Sequence, residues 1–182
     1  VGSEMCIRDR AITIIQFKLE GEIIRRRPEF EMDDRMLLHH IDLKRGVVHI
    51  DGKDYTLKDT NWPTLDPKDP YRLSIEEEDL IRKILHSFES SEKMKKHMRC
   101  FFRHGGMYQV CNSNLLFHAS IPMNPDGTFK SVRILGQDYK GRALLDRVDQ
   151  LIRTAYFKTG EQEEVEYAHD YICLLYTSPS PR

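Results

Sequence analysis

The sequence predicts an α/β chain, because two hydrophobic periods alternate along its 182 residues. Apolar residues recur at spacings of three and four in segments 11–27, 75–88 and 142–157, the period of amphipathic helices. Short β-rich runs bounded by turn residues lie between them, at 47–57, 107–119 and 129–135. A hydrophobic content of 40% over this length is enough to build a globular core.

From Ala11, the residues Ile12, Ile15, Leu19 and Ile23 share one helical face, and Pro28 stops the helix. Glu31 to Ile41 reads as a second, shorter helix with Asp33 and Asp34 at its start, where acids suit the dipole. Val47 to Leu57 predicts a β-hairpin, since Asp51-Gly52 supplies the positive φ angles of a type I′ turn. Asp59 to Tyr71 keeps no period and carries Trp62 with Pro63, Pro67 and Pro70, so an ordered loop is expected.

Ser74-Ile75-Glu76-Glu77 matches a capping box, starting a helix at Ile75 that runs towards Phe88 with Leu80, Ile84, Leu85 and Phe88 inward. A further helix from Glu92 to His104 should end at Gly105-Gly106 in a left-handed cap. Met107 to Cys111 and Asn114 to Ala119 read as strands. Leu115-Leu116-Phe117 has the unbroken apolar pattern of a strand buried on both faces. Pro125-Asp126-Gly127 predicts a turn into a strand over Phe129 to Leu135. Arg142 to Phe157 returns to helix through Leu145, Val148, Leu151, Ile152 and Ala155, and Glu161 to Asp170 begins another.

Residues 1–10 and 173–182 carry no such period. They resemble translated adapter sequence, so the expected organisation is a foreign or disordered flank at 1–10, a domain fragment at 11–172, and a second such flank at 173–182.

The formal net charge of -1 gives no basic surface for a phosphate backbone, so no nucleic-acid partner is expected. Charge interrupts every apolar run well short of a bilayer span, and residues 1–10 lack a signal-peptide core, so neither a membrane nor a secretory role is expected. Cys6, Cys100, Cys111 and Cys173 form no CxxC pair, which points to reduced thiols in a cytoplasmic setting.

Several clusters invite chemistry and have plainer accounts. His39 and His40 are adjacent and diverge on a helix, favouring local hydrogen bonds over a metal. His97 and Cys100 stand at i, i+3 but need two more ligands to close a zinc site. His104-Gly105-Gly106 lacks phosphate-loop spacing, and Glu76 to Asp79 are the charges a helix start prefers. Arg25, Arg26 and Arg27 could hold a sugar phosphate through charge-assisted bonds, although a basic last turn complements the helix dipole equally well. His118 ends an apolar strand, a position where α/β sheets place ligands; physics alone favours a hydrogen-bonded structural histidine there.

Four strings occur in order: Ala11-Ile-Thr-Ile-Ile-Gln-Phe-Lys-Leu-Glu-Gly21, Arg26-Arg-Pro-Glu-Phe-Glu-Met32, Asp59-Thr-Asn-Trp-Pro-Thr-Leu-Asp-Pro67 and Asn112-Ser-Asn-Leu-Leu-Phe-His-Ala-Ser-Ile-Pro122. Together they resemble the class III fructose-1,6-bisphosphatases of bacteria, a family similar to the calcineurin-like metallophosphoesterases. The resemblance implies a partial metallophosphoesterase-like α/β sandwich with an inserted β-hairpin and helices. It also implies hydrolysis of fructose 1,6-bisphosphate in gluconeogenesis, with a divalent metal, manganese by expectation, and His118 as a metal ligand. The superfamily's Asp-x-His, Gly-Asp-x-x-Asp, Gly-Asn-His-Asp/Glu and Gly-His motifs do not occur in this chain. One histidine cannot hold a two-metal site, so the chain alone is expected to bind metal weakly and lack turnover.

The hairpin and the proline-rich loop would then cover a sugar-phosphate pocket, with Arg25, Arg26, Arg27, Lys53 and Lys58 as its basic residues. The partner expected is a small sugar bisphosphate, and a homo-oligomer is compatible with the sequence. Two alternatives are another metallophosphoesterase and a noncatalytic α/β interaction module.

Overall fold

A computed structural model describes residues 2–117 and 120–176, with side chains over 11–117 and 120–174. It divides into two compact units, Val1–Phe88 and Glu89–Arg182.

The first unit opens with helix α1, Gly2–Arg26. The helix thus begins nine residues before the expected start, and its buried face is rotated from the one expected. Ile12 is exposed, whereas Ile14, Lys18 and Gly21 are buried at i, i+4 and i+7, flanked by Ile15, Ile23 and Ile24. Lys18 can sit inside because its ammonium donates to the Thr64 carbonyl and the Glu77 carboxylate, each at 2.7 Å. Gly21 is required for contact: a Cβ there would run into the Tyr71 ring.

The short helix expected over 31–41 is replaced by two single 3₁₀ turns, Asp33–Arg35 and Leu38–His40, which follow a first such turn at Pro28–Phe30. Glu31 takes a left-handed conformation (φ 53°) that closes the first turn, and the Leu38 amide donates to the Tyr71 hydroxyl instead of to an α-helical ladder. Strands β1 (Ile41–Asp42), β2 (Val47–Ile50) and β3 (Lys53–Thr56) then form an antiparallel sheet in the order β1-β2-β3. The predicted hairpin is present in full. Asp51 (φ 49°) and Gly52 (φ 76°) form its turn, and His49 pairs with Asp54.

The proline-rich segment is irregular, as expected, and folds back to supply Leu65 and Tyr71 to a core with Leu38. Phe17, Met36, Ile41, Leu43 and Trp62 pack around that core. Helix α2, Ile75–Glu89, starts with the anticipated reciprocal cap: the Ser74 amide donates to Glu77 Oε2 at 2.8 Å and the Glu77 amide to Ser74 Oγ at 3.3 Å. Its expected inward residues Leu80, Ile84, Leu85 and Phe88 are all exposed. Glu77 holds the buried position instead, drawn in by Lys18.

In the second unit, helix α3 spans Glu92–His104, the bounds expected, with Ser91 Oγ accepting from the Met94 amide. Its end is not left-handed. Gly105 is extended (φ -95°, ψ 166°), and glycine is needed because a Cβ would lie 2.7 Å from the Phe101 carbonyl oxygen. Strands β4 (Tyr108–Cys111) and β5 (Asn114–Phe117) form one antiparallel hairpin, turning at Asn112 (φ 50°) and Ser113 (φ 62°).

The expectation of a strand buried on both faces fails. β5 pairs only with β4 among the described residues, so Leu115, Leu116 and Phe117 stay exposed. The strand expected over 129–135 shortens to β6, Val132–Ile134, paired with β7, Gln137–Tyr139, after the turn at Gly127 and a bridge from Met123 to Phe129.

Helix α4, Gly141–Phe157, buries Leu144, Leu145, Val148, Leu151 and Ala155 as the period required, with Ile152 half-buried. It packs against helix α5, Gln162–Tyr171, which continues into a π-helical turn at Ile172–Tyr176 that buries Leu174. The described architecture is therefore mixed α/β with small antiparallel sheets. No described helix is long and apolar enough to cross a membrane.

Candidate functional site

The strand singled out by sequence, β5, leads directly to His118, which with Ala119 lies outside the described residues. The ground before it is well defined. A cavity of about 530 Å³ is lined by His104, Gly105 and Gly106 at the end of α3 and by Tyr108, Leu116 and Phe117 of the β4–β5 hairpin.

Helix α4 positions this wall through four charged residues, Arg142, Asp146, Asp149 and Arg153, spaced i, i+4, i+7 and i+11 along one face. Arg142 Nε donates to the Tyr108 hydroxyl at 2.8 Å, and that hydroxyl donates to Asp146 Oδ1 at 2.9 Å. Arg153 donates to the Phe102 carbonyl at 2.6 Å and the Gly105 carbonyl at 3.0 Å while pairing with Asp149 at 2.7 Å. A guanidinium on the last carbonyls of α3 satisfies groups the helix itself leaves unpaired. The base of the hairpin and the end of α3 are thereby tied to a single helix. Sequence reasoning missed this row, although its heptad-like spacing on a predicted helix was a readable signal.

A second polar cluster lies in the first unit. The Tyr71 hydroxyl accepts from the Leu38 amide at 3.1 Å and meets His39 Nδ1 at 3.1 Å. The hydroxyl can donate to Nδ1 of a neutral His39, the arrangement in which its oxygen accepts only from the amide. Burial first, then the charges of His40 and Arg25, hold the His39 pKa below the usual histidine value and favour that state. The partner of His39 is thus a tyrosine 32 residues away, not the local group expected. His39 also lines a cavity of about 360 Å³ with Asp42 and Lys44.

The candidate basic residues form two separate sets. Arg25 pairs with Asp69 at 3.0 Å and lies 4.7 Å over the Tyr71 ring, and Arg27 approaches Glu29 at 3.8 Å. Arg26 is exposed beside them at the end of α1. Lys53 and Lys58 are exposed on β3 and just beyond it. None of the five lines either cavity described above. No group of three or more His, Cys, Asp or Glu residues is gathered to hold a metal ion among the described residues, which includes His97 and Cys100. The described part of the chain therefore does not fit a complete metal site.

The family model described as Firmicute fructose-1,6-bisphosphatase matches residues 3–181. Class 3 fructose-1,6-bisphosphatase of Parabacteroides distasonis is 98% identical over 167 residues, 92% of this chain and 25% of that protein. The enzyme of the same name from Bacteroides fragilis is 62% identical over 170 residues, 93% of this chain and 26% of its own length. That of Clostridioides difficile is 49% identical over 175 residues, 96% of this chain and 26% of its own. No solved structure matches. The chain spans about a quarter of the length of the curated relatives it matches. An uninterrupted match over nearly every residue establishes that the chain belongs to the class 3 fructose-1,6-bisphosphatase family.

Proposed function

We propose that this chain is part of a cytoplasmic fructose-1,6-bisphosphatase that hydrolyses fructose 1,6-bisphosphate to fructose 6-phosphate and phosphate in gluconeogenesis. The 98% identity to the Parabacteroides distasonis enzyme over 92% of the chain carries this reading. In the full-length enzyme the fold is a metallophosphoesterase-like sandwich, the cofactor is a divalent metal, manganese by family resemblance, and His118 is the ligand this chain contributes. The described residues gather no ligand set of their own, so the chain by itself leaves the substrate intact. Lys53 and Lys58, exposed on the hairpin, are the basic residues best placed to meet a phosphate without first breaking an ion pair of the Arg25 kind.

Phosphate release from fructose 1,6-bisphosphate, with and without manganese, tests the reading on this chain and on the full-length enzyme containing it. The full-length enzyme should turn over and this chain should not. His118→Ala in the full-length enzyme should lower activity by at least about tenfold, the loss seen even for groups that only support a ligand. Lys53→Ala with Lys58→Ala should raise KM with kcat little changed. Turnover by this chain alone, or full activity in His118→Ala, would overturn the assignment.

A further inference from the structure

Tyr71 is only 1% exposed, and its ring fills the space that a side chain at Gly21 would need, so its hydroxyl is shut off from water. A buried hydroxyl needs an acceptor for its hydrogen as well as donors for its oxygen. Here the donor is the amide of Leu38, first residue of the Leu38–His40 turn, and the acceptor within reach is His39 Nδ1, each at 3.1 Å. Leu38 is itself buried against Leu65 and Tyr71, and strand β1 begins at Ile41, directly after the turn. One hydroxyl therefore docks this turn on the core of the first unit. The groups around His39 oppose a positive charge there. From α1 the Arg25 guanidinium lies 4.7 Å over the Tyr71 ring, with Asp69 of the proline-rich loop already paired to it at 3.0 Å. Within the turn the His40 ring is 4.0 Å from that of His39. After β1, Asp42 and Lys44 line the same cavity as His39, and Asp42 Oδ1 is taken by the Lys44 and Arg45 amides. The charges that act on His39 are those of His40 and Arg25, both of the wrong sign for an imidazolium.

We propose that His39 and Tyr71 form a proton-operated latch: neutral His39 accepts the Tyr71 hydrogen and holds the Leu38–His40 turn on the core, and protonation at Nδ1 releases the turn with the start of β1. A protonated Nδ1 is a donor, so two hydrogens would face each other across 3.1 Å. The Tyr71 hydrogen must then swing away inside a site closed to water, which leaves a buried donor unmatched. Opening the turn returns both groups to solvent. Burial and the neighbouring charges hold the folded pKa of His39 below the ordinary histidine value. The latch is therefore closed above about pH 6.5 and weakens as pH falls through that value towards the lower folded one. Every residue involved lies in the first unit, and the inference is independent of whether the enzyme hydrolyses fructose 1,6-bisphosphate.

Hydrogen–deuterium exchange in the full-length enzyme, read by peptide mass spectrometry, tests the latch at two kinds of site. Exchange at the imidazole C2 carbon, with fragmentation separating His39 from His40, gives the titration midpoint of His39. Tyr71→Phe removes the donor that neutral His39 accepts, so this midpoint should rise by about half a unit to one unit. A midpoint that stays or falls overturns the proposal, because His39 then gains nothing from the hydroxyl or donates to it. Exchange of the backbone amides of residues 38–41 reads the release. Corrected for intrinsic pH dependence, their protection should fall severalfold between pH 7.5 and 5.5, about tenfold at most, since pH 5.5 lies one unit below the ordinary histidine value. His39→Asn keeps an acceptor oxygen near the Nδ1 position and takes up no proton there, so its protection should stay level over that range. An equal loss in His39→Asn, or no loss in the unsubstituted enzyme, overturns the proposal. These two proteins keep Tyr71 and decide the matter even where Tyr71→Phe does not fold. Phosphate release is read separately, so failure of the proposed activity and failure of the latch are distinct results.

Discussion

Among single residues, Lys18 and Glu77 make the interaction on which the first unit most depends. The pair is nearly inaccessible, at 0% and 7% side-chain exposure, and it ties α1 to the segment at Thr64 and to the start of α2. Burial alone would push the Glu77 carboxyl up. Hydrogen bonds from Lys18, Ser74 and Thr64, with the charge of Lys18, outweigh it and hold the group below the usual glutamate value. The lowered folded-state pKa means that the pair's contribution is complete above the unfolded value of about 4.3 and is lost as pH falls through the folded one. Lys18→Met leaves a buried carboxylate unpaired and should cost about 3–5 kcal/mol at pH 7. In that variant burial acts on Glu77 without its main counterweight, so the carboxyl takes up a proton more readily and the deficit should shrink as pH falls from 7 to 4. Thermal melts of both proteins across that range check this, and a deficit that stays constant would show that Glu77 is not the group left unpaired. Sequence disclosed half of this arrangement. The Ser74–Glu77 cap is local and was read directly, whereas Lys18 lies 59 residues away and looked like one polar residue on a helix. The reading of His118 as a metal ligand rests on family resemblance, since a single histidine after an apolar run is as well explained by a structural hydrogen bond.

At the scale of elements, most local rules held where the determinants are neighbours, the left-handed cap expected at Gly105 being an exception. The hairpin at Asp51-Gly52, α3 and α4 follow from turn chemistry, a serine cap and hydrophobic period. Other failures arose where a distant partner decides the outcome: the Tyr71 hydroxyl draws the Leu38 amide away from a helix, and among the described residues β5 has no strand beyond β4 to bury it. The β6–β7 turn failed for a local reason. A hairpin at Leu135-Gly136 was not expected, because leucine at φ 48° resists the left-handed region that a type I′ turn needs. Leu135 is 40% exposed, so little packing is lost on replacing it. Leu135→Asn creates the Asn-Gly pair favoured in such turns and should stabilise the second unit by about 0.5–1 kcal/mol. Urea denaturation followed by circular dichroism measures it; an unchanged or lowered midpoint would mean that strain at this turn is relieved by contacts of the leucine side chain.

Over the whole molecule, exposed surface sets the behaviour. Exposed large apolar side chains cluster at Leu80, Ile84, Leu85 and Phe88 of α2 and at Val110, Leu115, Leu116 and Phe117 of the β4–β5 hairpin. Patches of this kind mark surfaces that are normally covered, and in isolation they promote association. Charge offers little opposition, because the formal net charge is -1 and the sequence pI is about 6.8. Light scattering from this chain should therefore be greatest near pH 6.8 and fall by pH 8.5, where net negative charge restores repulsion. At pH 8.5 the chain should bind anilinonaphthalene sulfonate strongly while keeping a folded circular dichroism spectrum, and the full-length enzyme should bind far less per mole. Strong dye binding with a lost near-ultraviolet signal would instead indicate loosened packing. Weak binding by a fully folded chain would show that these apolar residues find cover within it.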